Sequence, residues 1–200
     1  MIQKIISYME AKKYQIFKGK DELNIIYVEG MNPDFSLNND KPNYFNDIRL
    51  VIAFEDNKPL VLGVWEATTE PGFYYTDNPM NPDGAARIAF GQYRAWQVGI
   101  HGISEPHEAL VQVAPVKVHR DYNRDMIRTG DRIDKGIFGI NQHHGSNHPV
   151  DDIYTTSAGC LVGRTRQGHK EFMKLIKTDC RYKTNPDFIF TTTIIPGDKL

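Results

Sequence analysis

Only two of the 200 residues are cysteines, Cys160 and Cys180. One pair is too few for a disulfide framework, and neither belongs to a CxxC metal or redox spacing. Charge of either sign is not in excess: the formal net charge is −1, which removes the electrostatic case for nucleic acid or an anionic membrane as partner. Long apolar runs are missing too. Met1 to Tyr14 carries Lys4, Glu10, Lys12 and Lys13, so it reads neither as a signal peptide nor as a membrane span. On that reading the protein works inside the cell that makes it, leaves by another route, or has already lost a leader. Repeats and low-complexity tracts are also absent.

What is present is an ordinary globular composition, 40% hydrophobic and 24% charged, on a chain long enough to bury a substantial core. One domain over residues 1–200 is expected, with residues 1–20 as a helical extension. Ile2, Ile5, Ile6 and Met9 are spaced for a short amphipathic helix. The chain then turns β-rich. Leu23 to Val28, Ile48 to Phe54 and Leu60 to Trp65 are apolar, β-branched or aromatic runs punctuated by Gly, Pro, Asn and Asp. Leu110 to Val118 alternates in part, with Pro115 implying an edge or a bend. Ile137 to Ile140 and Phe188 to Ile195 are further strand candidates. A second helix is predicted where Phe172, Met173, Leu175 and Ile176 form an apolar face and Lys170, Glu171, Lys174 and Lys177 a polar one. The expected fold is mainly β with a few helices, and its long loops (32–46, 76–84, 144–154) are the places to look for function.

The chemistry concentrates at Ser157-Ala158-Gly159-Cys160, downstream of Gly139-Ile140-Asn141-Gln142-His143-His144-Gly145-Ser146. A thiol becomes a strong nucleophile when a neighbouring imidazole takes its proton and holds it as a thiolate. Small residues before it let another chain approach the sulfur, and the amides of Gly159 and Cys160 are candidate oxyanion donors. Cys160 is therefore the candidate nucleophile, whereas Cys180, beside Asp179 and Arg181, reads as structural. His143 lies seventeen positions before Cys160 and is the candidate base. If Ile137 to His143 is a strand, Asn141 and His143 share one face and His144 points the other way. His144 stays open as an alternative base. Ser157 either orients the base, helps form the pocket or is a plain turn serine. Arg164 and Arg166 either hold an acidic substrate group or are solvated charges at a helix start. A zinc site made from His143, His144 and His148 is the competing chemistry, but no HExxH helix or second cysteine at ligand spacing supports it. Gly99-Ile100-His101-Gly102, His107-Glu108, His119-Arg120-Asp121 and Arg128-Thr129-Gly130-Asp131 read as structural turns.

On these residues the chain resembles the L,D-transpeptidase catalytic-domain family (YkuD-type). That family carries a histidine, a loop and then a Ser/Thr-x-Gly-Cys signature, matched here by His143 and Ser157 to Cys160. Position 158 is usually histidine in the main transpeptidases. Ala158 departs from this and is similar to a phage- and bacterium-borne branch with Gly-Ile-Asn-x-His followed by Ser-Ala-Gly-Cys. Thr68 to Tyr75 resembles the family's upstream Thr-Pro-x-Gly segment, and the resemblance spans about Asn24 to Ile176. It implies an L,D-transpeptidase-like β-sandwich or barrel acting on peptidoglycan stem peptides through a Cys160 thioacyl intermediate. An amine acceptor would give a 3→3 crosslink, and water would give carboxypeptidase or endopeptidase activity. The protein would act at the cell wall, in the periplasm or delivered by a phage as an endolysin-like enzyme. It would be a monomer, with neither metal nor organic cofactor. The competing expectations are a zinc-dependent peptidase and a non-catalytic wall-binding or virion structural module.

Overall fold

The computed structural model describes residues 1–200. In chain order the elements are α1 (Ile2–Ala11), β1 (Asn24–Glu29), β2 (Asp47–Glu55), β3 (Lys58–Thr68), α2 (Phe73–Asp77), β4 (Ala85–Ile88), β5 (Gly91–His101), β6 (His107–Gln112), β7 (Val116–Asp121), β8 (Arg132–Gly136), β9 (Gln142–His144), β10 (Leu161–Gly163), α3 (Arg166–Ile176), α4 (Cys180–Thr184) and β11 (Phe190–Pro196). Eight strands close a barrel in the order β1-β11-β5-β6-β9-β10-β3-β2, and β4-β7-β8 form a separate three-stranded sheet. The protein is thus mainly β with few helices, as its patterning predicts. No helix is long and apolar enough to cross a membrane.

Burial on both faces explains why β1 reads as a continuous apolar run. Ile25 and Tyr27 enter one core, while Ile26 and Val28 enter a second that also holds Ile5, Ile6 and Met9 of α1. The period of two along a strand sends alternate side chains to opposite covers. The N-terminal helix is therefore packed onto the barrel rather than projecting from it. The α3 helix starts at Thr165, whose Oγ1 accepts from the Gly168 amide at 3.1 Å. It buries Phe172, Met173 and Ile176 in the first core, each stabilising by about 1.5–3 kcal/mol.

The sequence and the fold part company at two places that matter for function. Leu110 to Val118 is not one strand. Pro115 lies between β6 and β7, which belong to different sheets. Ile137 to Asn141 is a loop, and the strand begins only at Gln142. Gln112 shapes that loop: its Oε1 accepts from the Phe138 and Ile140 amides at 3.0 and 2.8 Å.

The small sheet is tied to the barrel by buried charge. Arg128, in the loop after β7, makes a two-pronged bond to Glu29 at the end of β1, with both contacts at 2.5 Å. Arg87 of β4 pairs with Glu70 and also donates to the Met126 carbonyl. Thr69 Oγ1 donates to Glu29 and Asp47 at 2.9 Å each. Burial first, and then the neighbouring Glu29 charge, push the Asp47 carboxyl well above its usual range. Removing one partner of such a pair strands a buried charge. Arg128→Ala is therefore expected to cost about 3–5 kcal/mol in urea unfolding, and adding Glu29→Gln should recover part of it. A cost below about 1 kcal/mol would show that the pair does not anchor the sheet.

Candidate active site

Cys160 directly precedes β10, at the end of a turn that only glycine can make. Gly159 has φ +126°, and a Cβ there would lie 2.3 Å from the Ala86 carbonyl oxygen. Ser157 is buried and staples the turn. Its Oγ accepts from the Gly159 amide at 3.1 Å and donates to the Cys160 carbonyl at 3.0 Å. Two expectations change here. Ser157 does not orient the base, because both its bonds stay within its own turn. Gly159 is not an oxyanion donor, because Ser157 already takes its N–H. The Cys160 amide, by contrast, makes no hydrogen bond and remains open to an oxyanion. The Thr68 to Tyr75 segment reaches the same turn, since the Gly72 amide donates to the Ser157 carbonyl at 3.0 Å.

The Cys160 sulfur accepts from the Asn141 amide and donates to the Gly139 carbonyl, both at 3.4 Å. Both partners lie in the loop that Gln112 holds. Burial pushes the thiol up to about 11, and the Asn141 N–H only partly offsets this.

His143 comes from β9, which runs parallel to β10 with His143 opposite Val162. Strand alternation sends Gln142 inward, where its Nε2 donates to Thr192 Oγ1 at 2.8 Å. His143 is sent to the other side, into a cavity of about 580 Å³ that Cys160 also lines. Its Nδ1 lies 2.9 Å from the His144 carbonyl oxygen. A carbonyl can only accept, so the proton sits on Nδ1 and Nε2 is left with a free lone pair. Burial, followed by the neighbouring His101, drives the imidazole down to about 3. The resting pair is thus a neutral thiol and a neutral imidazole, with no hydrogen bond between them.

A neutral thiol alkylates slowly, because the thiolate is the reacting species. Cys160 is expected to react with iodoacetamide at pH 7.5 on the order of 100-fold more slowly than free cysteine. Its rate should rise steadily up to about pH 11. A rate already on its plateau at pH 7 would mean a standing ion pair instead.

His144 faces elsewhere. Its ring stacks on His107 at 3.7 Å between centroids, and its Nδ1 accepts from the Ser146 amide at 3.2 Å. It lines a second cavity, of about 460 Å³, with His107 and His169. His148 remains in the 144–154 loop and lines neither cavity. No three His, Cys, Asp or Glu side chains are arranged to hold a metal ion. His143 and His144 line different cavities and His148 lines neither, so the three do not converge on one site.

The arginines are also placed differently from expectation. Arg164 is held by Glu66 at 2.6 Å and the His148 carbonyl at 3.1 Å. Arg166 forks onto Glu105 at 2.8 and 2.9 Å at the start of α3. Neither lines the Cys160 cavity: Arg164 follows the end of β10 and Arg166 begins α3, each turned to its own carboxylate. Cys180 is a free thiol at the start of α4, remote from this cavity.

Sequence reasoning missed two contributors to the site. His101 ends β5 and stacks on His143 at 4.0 Å with the planes 14° apart. Asn141 Nδ2 donates to its Nδ1 at 3.0 Å, and Asn141 Oδ1 in turn accepts from the Gln112 amide at 2.9 Å. That second bond sets the amide's orientation and so places the His101 proton on Nε2. The His101-Gly102 turn was the available signal, but only closure of the barrel brings it to Cys160. Arg120 of β7 is the other contributor. The chain matches no protein-family model, no curated protein and no solved structure.

Proposed function

We propose that this protein is a cysteine-dependent acyl-transfer enzyme. Within that class, we read it as an L,D-transpeptidase-like enzyme of peptidoglycan stem peptides, on an L,D-transpeptidase-like barrel. The observation that carries the proposal is the meeting of Cys160 and an Nδ1-protonated His143 in one cavity. The substrate comes from the Ser157 to Cys160 and His143 resemblance.

The free Nε2 of His143 takes the thiol proton as the sulfur attacks the carbonyl of the third stem residue. The carbonyl oxygen gains negative charge, to which the unoccupied Cys160 N–H can donate. The His144 carbonyl accepts from Nδ1 and so stabilises the imidazolium. Collapse of the intermediate breaks the C–N bond, and Nε2 returns the proton to the departing amine. Water or an amine, activated by the same nitrogen, then releases the thioester. Water release gives carboxypeptidase or endopeptidase activity, and amine release gives a 3→3 crosslink.

Incubation with defined tetra- and pentapeptide muropeptides tests this, with products identified by mass spectrometry. Free D-alanine, a split crosslink or a new 3→3 dimer is expected, and each names a different outcome. Binding to sacculi with no product at all would favour a non-catalytic wall-binding or virion module on the same fold.

A further inference from the structure

We infer that Arg120 holds a free carboxylate of the acyl donor, an inference that rests on the acyl-transfer reading above. Sixteen residues line the Cys160 cavity, and Arg120 is the one with a formal charge, since His101 and His143 are both held neutral. No aspartate, glutamate or lysine is among them. A cavity of that make-up favours an anionic group and disfavours a cationic one.

The guanidinium is fixed before any ligand arrives. Its Nε donates to Asp134 Oδ2 at 3.1 Å, and its carbon sits 4.6 Å from the centre of the Phe138 ring. Arg120 is only 5% exposed. Its two terminal nitrogens bond to no protein group and are not sealed in, and the residue lines both the Cys160 cavity and a neighbouring one of about 300 Å³ shared with Asp83, Asp131 and Arg132. The Nε edge is used and the forked end is free, which suits a bidentate carboxylate. Asp134 is shared with Arg132 at 3.1 Å, and Arg132 also takes Asp83 at 2.6 Å, so what Arg120 offers a ligand is its unoccupied fork rather than a lone charge.

One loop sets the spacing between this cation and the nucleophile. Phe138 carries the guanidinium on its ring, while Gly139 and Asn141 hold the Cys160 sulfur. Gln112 Oε1 clamps the loop between them. A donor with its carboxylate on Arg120 is thereby positioned against the sulfur through four consecutive residues. Two carboxylates of a stem tetrapeptide flank the reacting carbonyl of the third residue and suit this placement: the one on that residue's side chain and the one at the C-terminus of the fourth.

The experiment compares tetrapeptide muropeptides that are unmodified, amidated at the third residue's side-chain carboxylate, or amidated at the C-terminus. Wild type, Arg120→Lys and Arg120→Met are each assayed for kcat and KM. With wild type, kcat/KM should fall about 10–100-fold for one of the amidated donors, mostly through KM. The affected position identifies the carboxylate. Arg120→Met should lose a similar factor on the unmodified donor and show no further penalty on that amidated donor. Arg120→Lys should fall between the two, and it carries the test if the methionine variant does not fold. Equal wild-type turnover of all three donors would sink the role of Arg120 and leave acyl transfer standing. An amidation penalty that persists unchanged in Arg120→Met and Arg120→Lys would sink it as well. If wild type turns over none of the donors, the acyl-transfer reading falls and this inference with it.

Discussion

Cys160→Ala is expected to abolish turnover of defined muropeptides while leaving the circular dichroism spectrum and the urea midpoint close to wild type. The loss should be complete because no other group in the cavity can form the thioacyl bond. Its lining holds two threonines and a tyrosine, but Cys160 contributes its one thiol. The fold should survive because the sulfur supports little of it. Its two hydrogen bonds are long, at 3.4 Å, and it only flanks the small cluster of Phe45, Ile153 and Val162. The Ser157 staple reaches the Cys160 carbonyl, which alanine keeps. A Cys160→Ala protein with wild-type turnover would end the cysteine mechanism. If EDTA then removed that activity and zinc restored it, a metal-dependent peptidase would take its place.

His143→Gln is expected to lower kcat by about 10²–10⁴-fold, the usual contribution of a general acid–base group. Glutamine keeps a planar polar group in the strand but offers no nitrogen lone pair to the thiol. His144→Gln should change the rate only a few-fold, because that ring stacks on His107 and lines the other cavity. The reverse ranking would make His144 the base. The pH profile adds a second readout. His143 is driven down to about 3, so the neutral, proton-accepting form dominates at all higher pH. Activity is therefore expected to stay level from about pH 5 to pH 8, with no step near the ordinary histidine value of about 6.5. A step there that vanishes in His143→Gln would contradict the neutral resting pair.

Local physics made some of this visible in advance. Ile5, Ile6 and Met9 show their helix through spacing alone, and Phe172, Met173 and Ile176 show theirs. The β1 and β2 runs show themselves because they are buried on both faces. β5 hides: Gly91-Gln92-Tyr93-Arg94-Ala95-Trp96 breaks every apolar run, and only Ala95 and Trp96 are fully enclosed. The loop from Ile137 to Asn141 looks like a strand because Ile137, Phe138 and Ile140 are apolar. It is held open instead by distant side chains, Gln112 on the Phe138 and Ile140 amides and Trp96 on the Ile140 carbonyl. The resemblance to a cell-wall acyl-transfer family pointed to Cys160 and His143, yet it said nothing of His101 or Arg120.

By itself the sequence determined the turn that presents Cys160. Gly159 and Ser157 act on Cys160 over one to three residues, and such short-range geometry is written in consecutive letters. Within β9 the opposite facing of His143 and His144 is likewise local, because alternation along a strand separates neighbours. Only the tertiary structure decided what surrounds the sulfur. His101 stands 59 positions before Cys160 and Arg120 stands 40 before it, and each arrives through pairings of strands distant in sequence. The protonation states belong to that level too. A thiol held up near 11 and an imidazole held down near 3 follow from enclosure by distant segments, which no spacing of residues along the chain expresses.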